Sequence, residues 1–204
     1  MANTTFWAEA TLEPKRQFRF LFILPGGNAE GSADNVETYL VRQVNKPQIT
    51  IGGETTVSYL QHTFKYPGRA TWNDVTITLS DIIDPRNDVT SRLASMIRRS
   101  GYIIPDTETN AQYSINKQAA VNAIGGPRIQ QLDNGDPENG IAPRVIEEWL
   151  LWNAYIKSVD FGGQLNYTSD ALVDVTLTLG YDWAQHTMGN EEIPLNPGFQ
   201  RLEG

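Results

Sequence analysis

The chain has no cysteine, which excludes disulfides, thiolate catalysis and cysteine-based metal centres. The absence also fits a protein that matures in a reducing cytoplasm. Histidine is nearly as scarce. His62 and His186 are the only two, separated by most of the sequence and in no metal-ligand spacing. Basic residues are a minority, 16 against 24 acidic, giving a formal charge of −8 and a pI near 4.7. That balance argues against a nucleic-acid clamp, because phosphate binding is driven by clustered Lys and Arg. No run approaches the roughly 20 apolar residues of a membrane span. The longest apolar stretch, 18–24, contains Arg19 and follows Glu9 and Glu13, so it reads as no export signal.

What is present is a β-rich pattern in 204 residues, enough for one domain with a core of its own and without an obvious linker. Val75, Ile77 and Leu79 alternate with Asp74, Thr76, Thr78 and Ser80. A period of two gives one apolar face and one face of carboxylate and hydroxyl groups, as in a half-buried antiparallel strand. The same alternation returns at 174–179, with Thr176 and Thr178 on the polar side. Further strands are expected at 17–24, 38–44 and 172–183, the last with Trp183 continuing its apolar face. A hairpin is expected from 48–51 and 55–66, turning at Gly52-Gly53. Its second arm has mixed faces, as a strand does when it leaves its own core to pair with another subunit. Pro67-Gly68 is a turn signal.

One helix is well marked. Asp88 supplies an N-cap carboxylate, and Val89, Leu93, Met96 and Ile97 recur at three- and four-residue spacing. Arg98 and Arg99 suit the C-terminal end of the dipole, and Gly101 closes it. Two stretches stay open on periodicity alone. Residues 113–123 fit a short helix and a strand equally. In 144–160 the spacing of Val145, Trp149 and Trp152 suits a helix, whereas strand alternation sets Glu147, Trp149 and Leu151 against Glu148, Leu150 and Trp152. The first sixteen residues read as an arm that could dock through Phe6 and Trp7. The tail beyond 185, with Pro194 and Pro197, reads as extended.

Candidate chemistry is thin. The loop holding Asp133, Asp136 and Glu138 is rich in oxygens but lacks EF-hand spacing and reads as a solvated turn. Asp84 and Asp88 are explained as turn and cap residues and, with Asp81, do not require an acid–base role. Gly125-Gly126 and Gly162-Gly163 lack the lysine and helix start of a phosphate loop. No catalytic residue, cofactor site or metal site emerges, so no enzyme is expected.

The order of the pieces is more informative. Lys65-Tyr-Pro-Gly-Arg-Ala-Thr-Trp-Asn-Asp-Val-Thr-Ile-Thr-Leu79 leads into a helix. Glu147-Glu-Trp149, Ser158-Val-Asp-Phe161 and Val173-Asp-Val-Thr-Leu-Thr-Leu-Gly-Tyr-Asp182 follow near the end. Across 17–101 and 144–184 the chain resembles the tail tube proteins of contractile-tailed bacteriophages, relatives of the type VI secretion tube proteins. The resemblance implies a mainly β fold, a barrel or sandwich of two packed antiparallel sheets with one flanking helix, and takes 144–155 as a strand. It also implies hexameric rings stacked into a tube in the virion tail, assembled in the bacterial cytoplasm. Sheath and baseplate proteins would be partners, and DNA would leave through the lumen without being specifically bound.

On this reading the subunit-interface candidates are Gly52, Gly53, Glu54, Thr55, Val57, Tyr59, Tyr66, Pro67, Gly68 and Arg69. The lumen candidates are Glu54, Asp74, Thr76, Thr78, Asp174, Thr176 and Thr178. Two stretches depart from the family pattern, an apparent insert at 102–143 and the tail at 185–204. They keep open a specialised, baseplate-proximal ring instead of the main tube; a type VI-like tube conducting effector proteins is a separate rival. A different class, a monomeric carbohydrate-binding sandwich, would need Trp72, Trp149 or Trp152 as exposed platforms.

Overall fold

A computed structural model describes residues 14–26, 36, 40–83, 88–135, 142–168, 170–189 and 191–193. The expected docking of Phe6 and Trp7 lies outside these residues, as does the tail from 194 onward. In chain order the strands are β1 (Phe20–Ile23), β2 (Val41–Val44), β3 (Gln48–Ile51), β4 (Thr55–Tyr59), β5 (His62–Tyr66), β6 (Ala70–Asn73) and β7 (Val75–Ser80). Helix α1 (Val89–Arg99) follows, then α2 (Lys117–Ile124) and β8 (Arg128–Leu132). The chain continues through β9 (Val145–Trp152), β10 (Tyr155–Asp160), β11 (Asp174–Gly180), β12 (Trp183–Met188) and β13 (Glu191–Ile193).

Two antiparallel sheets face each other, one of five strands in the order β1-β8-β9-β12-β13 and one of four in the order β10-β11-β7-β2. Period-two alternation fills the space between them. Val75, Ile77 and Leu79 of β7 and Val175, Leu177 and Leu179 of β11 are fully buried. Phe22, Ile129 and Leu151 meet them from the five-stranded sheet. Burying a side chain of this size contributes about 1.5–3 kcal/mol, so these two strands are the stable centre of the molecule. Helix α1 completes the core with Val89, Leu93 and Met96, all fully buried. Its start is fixed by the Asp88 carboxylate, which accepts from the Thr90 N–H at 3.2 Å. Helix α2 packs on α1 and on β10, and its N-cap is Asn116, whose side chain accepts from the Ala119 N–H at 2.8 Å.

Several expectations change. The ambiguous stretch at 144–160 is two strands, β9 and β10, joined at Asn153, which has a left-handed φ of 53°. The chain passes there from the five-stranded sheet to the four-stranded one. The single strand expected at 172–183 instead ends at Gly180. Trp183 opens β12 in the opposite sheet, and the Asp182 N–H donates to the Trp152 carbonyl at 3.0 Å, tying the two crossings together. Residues 185–188 and 191–193, expected as part of an extended tail, pair as β12 and β13. From the stretch read as an insert come α2 and β8, and β8 lies between β1 and β9, so this part of it is built into the sandwich. The flanking helices are thus α1 and α2 among the described residues.

The hairpin also differs. It is one long arm, with β3 paired to β6 at its root and β4 paired to β5 at its end. The chain reverses at Leu60-Gln61, between Tyr59 and His62, and not at Gly52-Gly53. Gly52-Gly53 instead forms an elbow opposite Pro67-Gly68. Here a glycine is required: a Cβ on Gly68 would lie 1.8 Å from the Gly52 carbonyl oxygen and 2.5 Å from that of Gly53.

Candidate assembly surface

The far half of the arm has two unlike faces. Register places Val57 opposite Phe64, Tyr59 opposite His62 and Thr55 opposite Tyr66; the alternate pairs are Thr56 with Lys65 and Ser58 with Thr63. One face therefore carries Val57, Tyr59, Phe64 and Tyr66, with Thr55 at one end and His62 at the other, and the opposite face is polar, because cross-strand partners share a side of the sheet. Every residue of β4 and β5 is exposed, and Leu60 at the tip is 86% exposed. An isolated two-stranded hairpin is marginal in water, and among the described residues nothing covers this face.

The root of the arm, by contrast, is anchored. Trp72 on β6 packs against Tyr181, with ring centroids 6.1 Å apart. Burial, with the nearby Asp74 charge, pushes the Tyr181 phenol up to about 12. Lys46, in the link between β2 and β3, donates to Glu147 at 2.8 Å. Glu147 lies on the inner side of β9, only 6% exposed. It also accepts from Lys15 and from the Trp149 indole at 2.7 Å, with His186 Nε2 3.9 Å away. Burial alone would push its carboxyl up, but hydrogen bonds from Lys15, Lys46 and Trp149 outweigh this and hold it at about 2. Beside it Gln131 donates to the carbonyls of Arg16 and Arg19 at 2.7 and 2.9 Å. One carboxylate thus links the segment before β1, the root of the arm and the five-stranded sheet.

The outer face of the four-stranded sheet is the third feature. Thr76 pairs with Thr178 and Thr78 with Thr176, giving four hydroxyls in the middle of the sheet. Asp174 forms a two-pronged ion pair with Arg42 at 2.8 and 2.7 Å. Asp74 pairs with Lys157, whose ammonium is held above its ordinary pKa by that carboxylate. Both edge strands, β10 and β2, lack a further partner among the described residues.

The residues singled out from sequence therefore fall into two groups. Asp74, Thr76, Thr78, Asp174, Thr176 and Thr178 come together on this one face. Gly52, Gly53, Glu54, Pro67, Gly68 and Arg69 gather at the elbow, and Thr55, Val57, Tyr59 and Tyr66 lie beyond it. Glu54 stands on the arm, 3.0 Å from Lys65, and apart from the sheet face. Phe64, Leu60 and the Glu147 cluster were missed. Phe64 becomes legible once a two-residue turn is placed at 60–61, which puts it opposite Val57. The Glu147 cluster joins residues over one hundred positions apart and leaves no local signal.

Of the three tryptophans that a carbohydrate platform would need, Trp72 and Trp149 pack against the core. Trp152 is exposed but stacked on Trp183 at 6.0 Å.

No protein-family model matches the chain, and no curated protein matches it. Solved structures do. A chain of the anti-feeding prophage baseplate, 6-fold symmetrised, aligns at a TM-score of 0.56 with 13% identity, over 86% of this chain and 97% of that one. A chain of the sheath/tube terminator of the PVC extracellular contractile injection system, in the extended state, aligns at 0.52 with 15% identity, over 86% and 97%. A chain of the PVC sheath-tube complex aligns at 0.51 with 14% identity, over 91% and 99%. The likeness to contractile-tail tube components expected from the sequence is thus present at the level of the fold.

Proposed function

We propose that this chain is a structural subunit of the inner tube of a contractile tail, assembling as hexameric rings that stack into a conduit. The observation that carries this reading is the four-stranded sheet. Its two edges are unpaired among the described residues, and its outer face bears threonines and neutralised ion pairs where an exposed sheet of a solitary domain would guard its edges. Joining β2 of one copy to β10 of the next continues the sheet around a ring, and a head-to-tail contact closes when its rotation divides a full turn. The hydroxyl-lined face then borders a water-filled lumen. The apolar face of the arm finds its cover on a neighbour. The fold of the injection-system chains described above supports the same architecture. DNA as the cargo, and the tail of a virion as the setting, are part of this proposal and rest on the sequence resemblance.

The test is direct. Purified protein imaged by negative stain across a concentration series should show rings or short tubes. Shortening the arm by removing 58–63 should abolish them while the far-ultraviolet circular dichroism remains β-like. A chain that stays monomeric at every concentration and ionic strength overturns the reading.

A further inference from the structure

The Glu147 carboxylate has one crowded oxygen. Its Oε2 takes Lys15, whereas Oε1 takes both the Lys46 ammonium at 2.8 Å and the Trp149 indole N–H at 2.7 Å. A third nitrogen faces the same atom. His186 Nε2 stands 3.9 Å from Oε1, beyond hydrogen-bond reach, with its ring packed on Trp149 at 4.5 Å between centroids. We propose that His186 is a proton-operated release: on taking up a proton it replaces Lys46 on Glu147 and frees the link between β2 and β3. The release operates within one subunit, whether or not copies assemble.

Imidazole is the side chain whose ordinary titration falls between pH 5 and 8. Once protonated, both of its ring nitrogens are donors, and Nε2 needs to move only about 1 Å to bond Oε1. Lys46 then meets a like charge at a shared acceptor, while Lys15 already occupies the other oxygen. Three cations around one carboxylate repel one another, so proton uptake and the departure of a lysine are coupled. Geometry decides which one leaves. Lys15 sits on Oε2, away from the contested atom. Lys46 is about half exposed, and its ammonium returns to water on a flexible stem. The His186 side chain is only 19% exposed and is packed on the indole, whose ring face attracts a cation. On the remaining neighbour, β13 sets Ile193 opposite His186 and Glu191 two positions along, opposite Met188. Glu147, held at about 2, stays charged over the whole range. One partner therefore replaces another, and the carboxylate is never left alone.

The residue before Lys46 reports the state of the link. The Asn45 N–H donates to the Thr76 carbonyl at 3.1 Å, and its exchange with solvent measures how often that bond opens. The test follows this amide and the histidine C2–H signals by NMR from pH 8 to pH 5, below any concentration at which the chain assembles. Comparing the parent with His186→Gln at each pH cancels the intrinsic pH dependence of exchange. The two should exchange alike at pH 8, and the parent at least about threefold faster at pH 5. Coupling is reciprocal, so in Lys46→Met the midpoint of the His186 signal should move to higher pH. His62, on β5, is the other histidine, and His62→Gln should behave as the parent does. An Asn45 exchange ratio that stays at one, or a His186 signal that does not titrate in this range, overturns the proposal. So does a midpoint indifferent to Lys46→Met, or a response lost with His62. Should His186→Gln fail to fold, the parent and Lys46→Met titrations decide by themselves.

Discussion

Glu147 sits where two ammonium groups and an indole N–H converge on the inner side of a strand. A buried carboxylate is stabilising only while its partners stay in place. Lys15 and Lys46 are about half exposed and can return to water, so Glu147→Gln should cost about 1–3 kcal/mol, short of the loss for a fully buried pair. The pH dependence has a definite sign. The folded carboxyl, at about 2, lies below its ordinary value of 4.5. Its contribution is therefore complete above 4.5 and disappears as pH falls through 2. Urea unfolding of the parent and of Glu147→Gln should differ at pH 7, and the gap should close between pH 4.5 and 2. A gap that is constant with pH would mean that the carboxylate's charge is not what holds the arm's root.

Among the elements, β7 and β11 were the most legible from sequence, because strict alternation leaves one solution for which face is buried. Leu177→Ala should cost about 2–5 kcal/mol, since it opens a cavity in a fully packed layer. Thr176→Ala, on the outer face, should stay within about 1 kcal/mol. Equal losses in chemical denaturation would invert the assigned faces. Helix α1 was also readable, from its cap and its three-four spacing. The arm was read only in part. Leu60-Gln61 has none of the glycine, asparagine or proline that mark a turn, whereas Gly52-Gly53 does, and the louder signal belonged to the elbow. Periodicity could not decide β9 because apolar residues stand on both of its sides. Its inner side carries Glu147, Trp149 and Leu151, and its outer side carries Leu150 and Trp152, so apolar residues occur at both spacings.

For the whole molecule, the pairing of charges on the four-stranded sheet bears on the proposed conduit. Duplex DNA carries about one charge per 1.7 Å of axis, and a wall of free Lys and Arg would grip it. Arg42 and Lys157 are each tied to a carboxylate, and the chain as a whole carries −8. A gel-shift titration with linear duplex should therefore show no retardation even at about 50 mM salt, where the screening length exceeds 10 Å. Tight, salt-sensitive retardation would require a basic surface toward the DNA and would end the passive-conduit reading. The order of elements along the chain was what identified the architecture. The edges on which the proposed assembly relies were not legible, because which strands lie outermost depends on pairings between distant segments.

If β2 of one copy pairs with β10 of the next, as proposed, the two edges left unpaired among the described residues carry a consequence for how a ring would grow. An arc of two, three or more copies still exposes one β2 edge and one β10 edge, so each addition leaves the same unsatisfied pair behind. Only closure removes it, and the last contact forms two junctions at once without recruiting another molecule from solution. On the proposed ring contact, partial arcs would be transient, and the population would divide between free subunits and complete rings. A cell making this chain would then hold a reserve of separate pieces that convert abruptly once a template or a threshold concentration starts the first closure.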